Sequence, residues 1–272
     1  MIFFSPAKIN IGLQILGKRP DGFHNIQSLM HPVGLSDILE INPLHSKNQE
    51  ILFSQSGLRF DADLEDNLCI KAWRILAGEC NLPPVEIHLH KQIPLGAGLG
   101  GGSSNASVTL LGLNALAEDP LSMERLAELA ETLGSDCPFF LNKEPMMMEG
   151  RGEILTPVHL NLAGLFLVLL FPEIHISSAE AYRGVKPAVP DHLVSELIQK
   201  PVSHWKGLIK NDFENSVFIK YPRLNDLKQK LYESGALYAS LSGSGSSLYG
   251  LFAQRPSLPD DLRKQVIWAG AI

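Results

Sequence analysis

The chain has 272 residues, of which 45% are hydrophobic and 19% charged, and its formal net charge is −6. A chain of this length buries enough apolar surface to fold without disulfides or a structural metal. Its acidity and the lack of Lys or Arg runs argue against nucleic-acid binding but not against a nucleotide site, because backbone amides and single lysines can bind phosphates.

Cysteine use and hydropathy predict a cytoplasmic protein that does not contact a membrane. Cys69, Cys80 and Cys137 are an odd set without a CxxC pair, which is typical of reduced thiols. We expect each to be a small buried residue rather than a nucleophile. The N-terminal residues lack the charged region and apolar core of a signal peptide. The longest apolar run, Leu165–Phe171, is too short to span a bilayer.

The first half of the chain alternates strand and helix patterns. Apolar residues at every second position from Ile9 to Ile15 predict a strand. Further strands are predicted at Ile38–Ile41, Ile51–Phe53 and Val85–Leu89. Helices are predicted at 66–78, at Ser103–Ala117 and at Ser122–Leu133, the last with Ser122 as N-cap and Gly134 as terminator.

The pattern changes after Ile154. Leu165–Phe171 is predicted as a buried strand, and helical patterns dominate from Ser178 to Ser234. A strand–turn pattern follows at 238–252, and Asp260–Trp268 is predicted as a helix. These patterns predict an α+β protein with two domains, residues 1–157 and 158–272.

The segment IPLGAGLGGGSSNAS, residues 93–107, is the most informative for function. Six of the seven residues from Gly96 to Gly102 are Gly or Ala, so the backbone can approach a ligand closely. The loop leads into a predicted helix, whose free N-terminal amides and positive dipole end suit a phosphate chain. Ser103 and Ser104 are candidates to cap that helix and to contact a phosphate or its metal ion.

Other interpretations of this segment fit less well. Its glycine spacing matches the dinucleotide-binding fingerprint, but no second strand separates the helix from the acid Glu118. A Walker A loop requires a lysine that is missing here. The stretch 102–106 is similar to a hydrolase elbow without its preceding strand, so a serine hydrolase using Ser104, Asp136 and a histidine is a distant alternative. A flexible hinge is the alternative without chemistry.

Phosphoryl transfer needs charge neutralisation and usually a carboxylate near the nucleophile, and two further segments offer these groups. Lys8 and Asn10 share one face of an apolar strand, although a surface lysine would give the same pattern. Asp136 follows a predicted helix end, where both catalytic and capping aspartates occur. Gly243–Ser247 is a small-residue turn that either connects a hairpin or lines a phosphate site.

Together these segments resemble the GHMP kinases. In family order they are PAKIN at 6–10, GKRPDGFHNIQSLM at 17–30, GLGGGSSNA at 98–106, LGSDCPFF at 133–140, EGRGEILTPV at 149–158 and SGSGSSLYG at 242–250. They are most similar to the members that phosphorylate the 2-hydroxyl of 4-diphosphocytidyl-2-C-methyl-D-erythritol in non-mevalonate isoprenoid synthesis. The resemblance implies a two-lobed α+β fold with an N-terminal ATP-binding lobe, a C-terminal α/β lobe and the active site in the cleft between them.

The resemblance also implies the residues of catalysis and acceptor binding. Asp136 matches the catalytic aspartate, Lys8 the lysine that pairs with it, and Asn10 a residue near the acceptor. Phe23 and Tyr182 match two aromatic residues that sandwich the cytosine ring, and His24 matches the residue that contacts the cytosine edge. Position 23 departs from the family, which usually has Tyr there.

The resemblance implies ATP as co-substrate, with Mg²⁺ on its triphosphate, and a small cytidine-diphosphate sugar alcohol as partner. The sequence leaves the protein ligands of the metal open, and none of the nine histidines has metal-site spacing. Another small-alcohol kinase of the same superfamily, such as homoserine kinase, is the nearest alternative, and a non-catalytic module is a further one. The positions matching the ATP site are Pro94, Leu95, Gly96, Ala97, Gly98, Leu99, Gly100, Gly101, Gly102, Ser103 and Ser104 in the loop, with Asn67, Lys91 and Asn105 around the adenosine.

Overall fold

The computed structural model describes residues 1–45, 49–58, 64–142 and 144–272. They form two compact units. The first comprises Met1–Ala7, Leu35–Leu95 and Gly100–Lys143, and the second comprises Lys8–Gly34, Gly96–Leu99 and Glu144–Ile272. Strands β1 (Ile2–Lys18) and β2 (His24–Pro43) pair with each other, and each contributes residues to both units. The division at residues 157 and 158 stays a prediction.

The first unit packs helices against a sheet. The second half of β2 pairs antiparallel with β4 (Val85–Lys91), and β4 pairs parallel with β3 (Ile51–Gly57). Leu39, Ile41, Ile87 and Leu89 point from these strands into one apolar core. The helices that close this core are α1 (Leu68–Ala77), α2 (Gly101–Asn114) and α3 (Met123–Leu133).

Local capping explains where two of these helices begin. The side chain of Asn67 accepts a hydrogen bond from the Cys69 amide at 2.9 Å and caps α1. The side chain of Ser122 accepts one from the Arg125 amide at 3.3 Å, which confirms the N-cap predicted for α3. Each cap satisfies one of the free amides of a first helical turn.

Helix α2 begins differently from the prediction. It starts at Gly101, and its N-cap is Gly100, which makes no side-chain hydrogen bond and has a φ of 69°. Ser103 and Ser104 therefore lie inside the first turn, and the prediction that they cap the helix is wrong. The glycine at position 100 makes this start possible because side-chain-bearing residues rarely adopt a left-handed backbone.

The second unit contains two sets of strands. The first half of β2 pairs with β5 (Met146–Glu149), which pairs with β6 (Ile154–Pro157). A separate antiparallel sheet has the order β10-β7-β9-β8. Its strands are β7 (Phe166–Leu170), β8 (Tyr238–Leu241), β9 (Leu248–Phe252) and β10 (Val266–Ala271), and the helices of this unit are α4 (Ser178–Arg183), α5 (Val194–Leu197), α6 (Glu214–Lys220), α7 (Pro222–Glu233) and α8 (Asp260–Arg263).

The C-terminal helix prediction is only partly right. Helix α8 ends at Arg263, and residues from Val266 onward form β10, which pairs antiparallel with β7. β-Branched and aromatic residues at 266–268 favour a strand once a partner edge is present. Trp268 of this strand packs on Gly34, where an added Cβ would lie 2.6 Å from the indole ring.

Candidate active site

The glycine-rich loop has the backbone of an anion-binding loop. Gly96, Gly98 and Gly100 have φ angles of 63°, 77° and 69°, and they alternate with residues outside the left-handed region. Such alternation turns successive N–H groups toward one side and creates a concave set of donors. The loop therefore suits a phosphate chain that binds through backbone amides.

A second small-residue turn holds this loop in place. The turn Gly243–Ser247 connects β8 and β9, and the Ser247 amide donates to the Ala97 carbonyl at 3.1 Å. The Ser242 hydroxyl donates to the Gly98 carbonyl at 2.9 Å. A Cβ at Gly98 would lie 2.1 Å from the Ser242 carbonyl oxygen, so glycine is required for this close approach.

Lys8 lies buried at the side of this loop. Only 4% of the surface of this residue is exposed, so the interpretation as a surface lysine is wrong. The Lys8 amide donates to the Leu99 carbonyl at 3.0 Å, which joins β1 to the loop. Its ammonium group donates to Asn10 Oδ1 at 2.5 Å. The structure thus brings Lys8 and Asn10 together.

Asp136 lies half-buried in the turn after α3. The Cys137 amide donates to the Gly134 carbonyl at 3.0 Å, and the Ser107 hydroxyl donates to the Cys137 carbonyl at 2.6 Å. These bonds fix the turn against α2, because Ser107 belongs to that helix. The backbone next to Asp136 is thereby held by hydrogen bonds on both sides of the turn.

The neighbouring thiols are not nucleophiles. Burial raises the pKa of Cys69 and that of Cys137 to about 11 each. Both residues are fully buried, and all three cysteines are free. A thiol with such a pKa stays protonated near neutral pH, and the thiolate is the reactive form. The expectation of structural cysteines is confirmed for these two residues.

A buried network surrounds Lys91 and Asn105. Lys91 forms an ion pair with Asp37, whose side chain is 0% exposed. The Asp37 carboxylate also accepts from Asn105 Nδ2 at 2.9 Å and from the backbone amides of Gln92 and Ile93 at 2.6 and 2.8 Å. Asp37 thus joins β2 to the segment that leads into the glycine-rich loop and to helix α2. Asp37 was not among the predicted site residues.

Burial disfavours the charged form of Lys91, and Asp37 favours it. Burial lowers the pKa of Lys91, and the adjacent Asp37 carboxylate partly offsets this effect. Its ammonium group lies beside the start of α2, where a Cβ on Gly101 would be 2.9 Å from Nζ. The predicted contacts of Asn67, Lys91 and Asn105 with adenosine stay predictions; in the structure Asn67 caps α1 and the other two are buried.

Aromatic residues cluster around the candidate cytosine site. His24 stacks on Tyr182 with ring centroids 5.1 Å apart and an interplanar angle of 17°. Tyr182 meets Phe213 edge-on at 4.9 Å. Phe23 is 54% exposed, and the Arg151 guanidinium lies 5.5 Å from its ring centroid. The structure therefore brings His24 and Tyr182 together and adds Phe213 and Arg151, which the sequence analysis did not select.

Two protein-family models match the chain. "GHMP kinases N terminal domain" matches residues 67–144, and "GHMP kinases C terminal" matches residues 176–267. The first match contains the glycine-rich loop and Asp136, and the second contains Tyr182 and the turn Gly243–Ser247. The chain belongs to the GHMP kinases.

Named relatives of this GHMP kinase agree in substrate. A Bacteroides fragilis protein named 4-diphosphocytidyl-2-C-methyl-D-erythritol kinase is 48% identical over 93% of the chain and 92% of its own length. A protein of the same name from Bacteroides thetaiotaomicron is 45% identical over 96% of the chain and 95% of its own length. Both similarities extend over nearly the whole of each protein.

Solved structures show the same relationship. A crystal structure of 4-(cytidine 5'-diphospho)-2C-methyl-D-erythritol kinase superimposes with a TM-score of 0.82 and 32% identity, covering 100% of this chain and 98% of the other. A homoserine kinase from Cytophaga hutchinsonii gives 0.59 and 20%, covering 96% and 87%, which shows a shared fold. The predicted fold class and the prediction of an ATP-using phosphotransferase are thereby confirmed for this GHMP kinase.

The serine hydrolase alternative is wrong for this GHMP kinase. Ser104 is 0% exposed, and its hydroxyl accepts a hydrogen bond from the Ser5 hydroxyl at 2.8 Å. A hydrolytic nucleophile must reach its substrate and lie beside a base.

No helix in the described ranges has the length and apolar character needed to cross a bilayer.

Proposed function

We propose that this GHMP kinase transfers the γ-phosphoryl group of ATP to the 2-hydroxyl of 4-diphosphocytidyl-2-C-methyl-D-erythritol, giving the 2-phosphate and ADP in the non-mevalonate route to isoprenoid precursors. The observation that carries the proposal is the 48% identity, over 93% of the chain, to a relative of that name. The aromatic cluster around Tyr182 supports it, since a cytosine base binds well to aromatic rings.

In the proposed reaction, the acceptor oxygen attacks the γ-phosphorus while the bond between the γ-phosphorus and the β–γ bridging oxygen breaks. Backbone amides of the glycine-rich loop would hold the phosphates. Asp136 would orient the hydroxyl and take its proton, and Lys8 would stabilise negative charge on the transferred group. A carboxylate is a weak base for an alcohol, but proton transfer can be late in a loose transition state, so positioning contributes most.

The proposed reaction includes an Mg²⁺ ion that binds together with the triphosphate of ATP. Within the described ranges, no group of three or more His, Cys, Asp or Glu side chains is arranged to hold a metal ion. An Mg²⁺ ion held mainly by phosphate oxygens and water, which is its common mode with nucleotides, does not require such a group. Ser103, half-buried in the first turn of α2, stays a candidate to contact it. When bound, the ion would neutralise charge on the phosphates.

The cytidine end of the substrate provides the decisive test. We would measure ATP turnover with the cytidyl substrate, with methylerythritol phosphate lacking the cytidine, and with homoserine. We expect turnover of the cytidyl substrate to exceed both others. Phe23→Ala should raise KM for the cytidyl substrate by roughly ten- to a hundredfold, because stacking on a base contributes about 1–3 kcal/mol. Phe23→Tyr should change KM little.

Phe4 supplies a matched control for this experiment. It is also an exposed phenylalanine, 69% accessible, and lies near the start of β1. Phe4→Ala should leave KM unchanged. Homoserine turnover that equals or exceeds turnover of the cytidyl substrate would overturn the substrate assignment, although the protein would remain a GHMP kinase.

A further inference from the structure

Asn10 has a hydrogen-bond partner for every polar group it carries. Its backbone amide donates to the Ser242 hydroxyl at 3.3 Å, and its carbonyl accepts from the Tyr249 hydroxyl at 2.8 Å. Its side-chain Nδ2 donates to Ser28 Oγ at 2.9 Å, and its Oδ1 accepts from Lys8 Nζ at 2.5 Å. The residue is 1% exposed, so these partners take the place of bulk water.

The hydroxyl of Ser28 and the Lys8 ammonium group select the same orientation of the Asn10 amide. Ser28 Oγ donates its proton to the Gly12 carbonyl at 2.6 Å, and a carbonyl oxygen can only accept. Toward Asn10, Ser28 Oγ therefore has only a lone pair to offer, so the amide presents its NH₂ group to the serine. The amide oxygen is then the atom that faces the Lys8 ammonium group.

This arrangement is built into the sheet. Ser28 belongs to β2, where it lies opposite Met148 of β5, and it is 0% exposed. Gly12, which accepts its proton, is a glycine of β1 with a φ of 66°. A Cβ at position 12 would lie 2.8 Å from the Ile209 side chain, so the glycine cannot readily be replaced.

We propose that Ser28 is a positioning residue for phosphoryl transfer: it fixes the Asn10 amide, and Asn10 in turn fixes the direction of the Lys8 ammonium group. The proposal depends on the role in phosphoryl transfer proposed for Lys8. Without Ser28, the Asn10 amide keeps only its bond to the ammonium group, so the two side chains can move together away from their present direction. The hydrogen bonds of Ser28 join it to Asn10 and to the Gly12 carbonyl, and the proposal requires that its effect on kcat pass through Asn10.

A double-mutant cycle on kcat tests this dependence. Ser28→Ala should lower kcat by roughly three- to tenfold, the equivalent of about one hydrogen bond. KM for ATP should change by less than about twofold, because the groups that would bind the nucleotide are untouched. In an Asn10→Ala background, Ser28→Ala should not lower kcat further. If circular dichroism shows that Ser28→Ala is unfolded, Ser28→Cys, a weak donor of similar size, replaces it in the cycle.

Ser240 is the matched control. It is a buried serine of the same unit, 1% exposed, and its hydroxyl donates to Glu214 at 3.2 Å. Ser240→Ala should lower Tm without changing kcat. A KM effect with unchanged kcat, or a Ser28→Ala effect that persists in the Asn10→Ala background, would overturn the proposal.

The assay also separates this proposal from the proposed function. The acceptor used is whichever of the three alcohols the wild type phosphorylates fastest, so a wrong substrate assignment leaves the cycle measurable. Independent effects of Ser28→Ala and Asn10→Ala, in a wild type with normal turnover, overturn the positioning role alone. No ATP turnover with any alcohol would overturn both.

Discussion

Charged side chains at the candidate site are buried together with specific partners. Lys91 is paired with Asp37, and Lys8 contacts Asn10. Removing a charge from water is costly unless hydrogen bonds or an opposite charge compensate it. A compensated charged group is also held in one direction, because moving away from its partner would leave the cost of removing the charge from water uncompensated. These residues are therefore fixed in place before any ligand binds.

Asp136→Asn should separate chemistry from nucleotide binding. The substitution keeps the size of the side chain and its turn but removes the carboxylate that would take the proton. We expect kcat to fall by roughly 10²–10⁴, the usual contribution of a positioned acid–base group, with little change in affinity for ATP. Steady-state kinetics and calorimetry with a non-hydrolysable ATP analogue measure the two effects.

Asp119 is the control for this prediction. It is an exposed aspartate in the connection between α2 and α3, so Asp119→Asn should leave both kcat and affinity unchanged. Normal turnover in the Asp136→Asn variant would remove Asp136 from the mechanism. A loss of affinity equal to the loss of kcat would instead indicate that the turn supports the nucleotide site.

Residues inside ordered motifs could be selected from the sequence, whereas Asp37 could not. Lys8, Asn10 and Asp136 lie in segments whose composition already suggests chemistry. Asp37 is a single aspartate within a strand pattern, where a solvent-facing side chain is the ordinary expectation. Its partner Lys91 is 54 residues away along the chain. Such a pairing is specified by strand packing, which a local pattern does not contain.

At the scale of secondary structure, the start of α2 determines the shape of the glycine-rich loop. Gly100 is the N-cap with a φ of 69°. Gly100→Val should abolish binding of an ATP analogue while the protein remains folded. A β-branched residue resists the left-handed backbone by about 1–2 kcal/mol, and its side chain would intrude where amides approach phosphate. Calorimetry and circular dichroism measure binding and folding separately.

Gly164 is the control for backbone strain. It has a φ of 86°, and a Cβ there would meet nothing within 4 Å. Gly164→Val should therefore lose comparable stability but keep its affinity for the nucleotide. Unchanged affinity in Gly100→Val would show that this glycine does not lie against the phosphates.

Elements with local signals were predicted more accurately than those that depend on distant partners. The Ser122 cap and the Gly134 terminator bound α3 as predicted. In contrast, residues 266–268 were predicted as helix and form β10. The pairing that decides this joins Val266 to Leu170, nearly one hundred residues earlier. Sequence periodicity carries no information about that edge.

At the scale of the whole molecule, chain order and compact units do not coincide. Residues 8–34 and 96–99 belong to the second unit, although the sequence on either side of each belongs to the first. A linear change in composition can suggest a boundary, but it cannot show that two long strands contribute to both units. The order of motifs therefore predicted the family, whereas the division at residues 157 and 158 stays a prediction.

Global stability should depend on pH through His31. This residue of β2 is 8% exposed, and its Nδ1 donates to the Pro32 carbonyl at 2.7 Å. Burial lowers the pKa of His31 below its ordinary value of 6.5, and the hydrogen bond to Pro32 partly opposes this. The folded protein therefore holds His31 neutral at a pH where the unfolded chain already binds a proton.

The sign of the effect follows from that difference. As pH falls below about 6.5, His31 binds a proton in the unfolded state but not in the folded state. The free energy of unfolding therefore decreases by at most about 1.4 kcal/mol per pH unit. The loss ends once pH passes below the folded pKa. His31→Gln retains a donor for Pro32 but cannot titrate, so its unfolding free energy should vary less between pH 7 and pH 5 than that of the wild type.

The exposed His159 gives the control, since His159→Gln should follow the wild-type curve. Urea unfolding at a series of pH values measures all three proteins, and a His31→Gln curve parallel to the wild type would show that His31 titrates alike in both states.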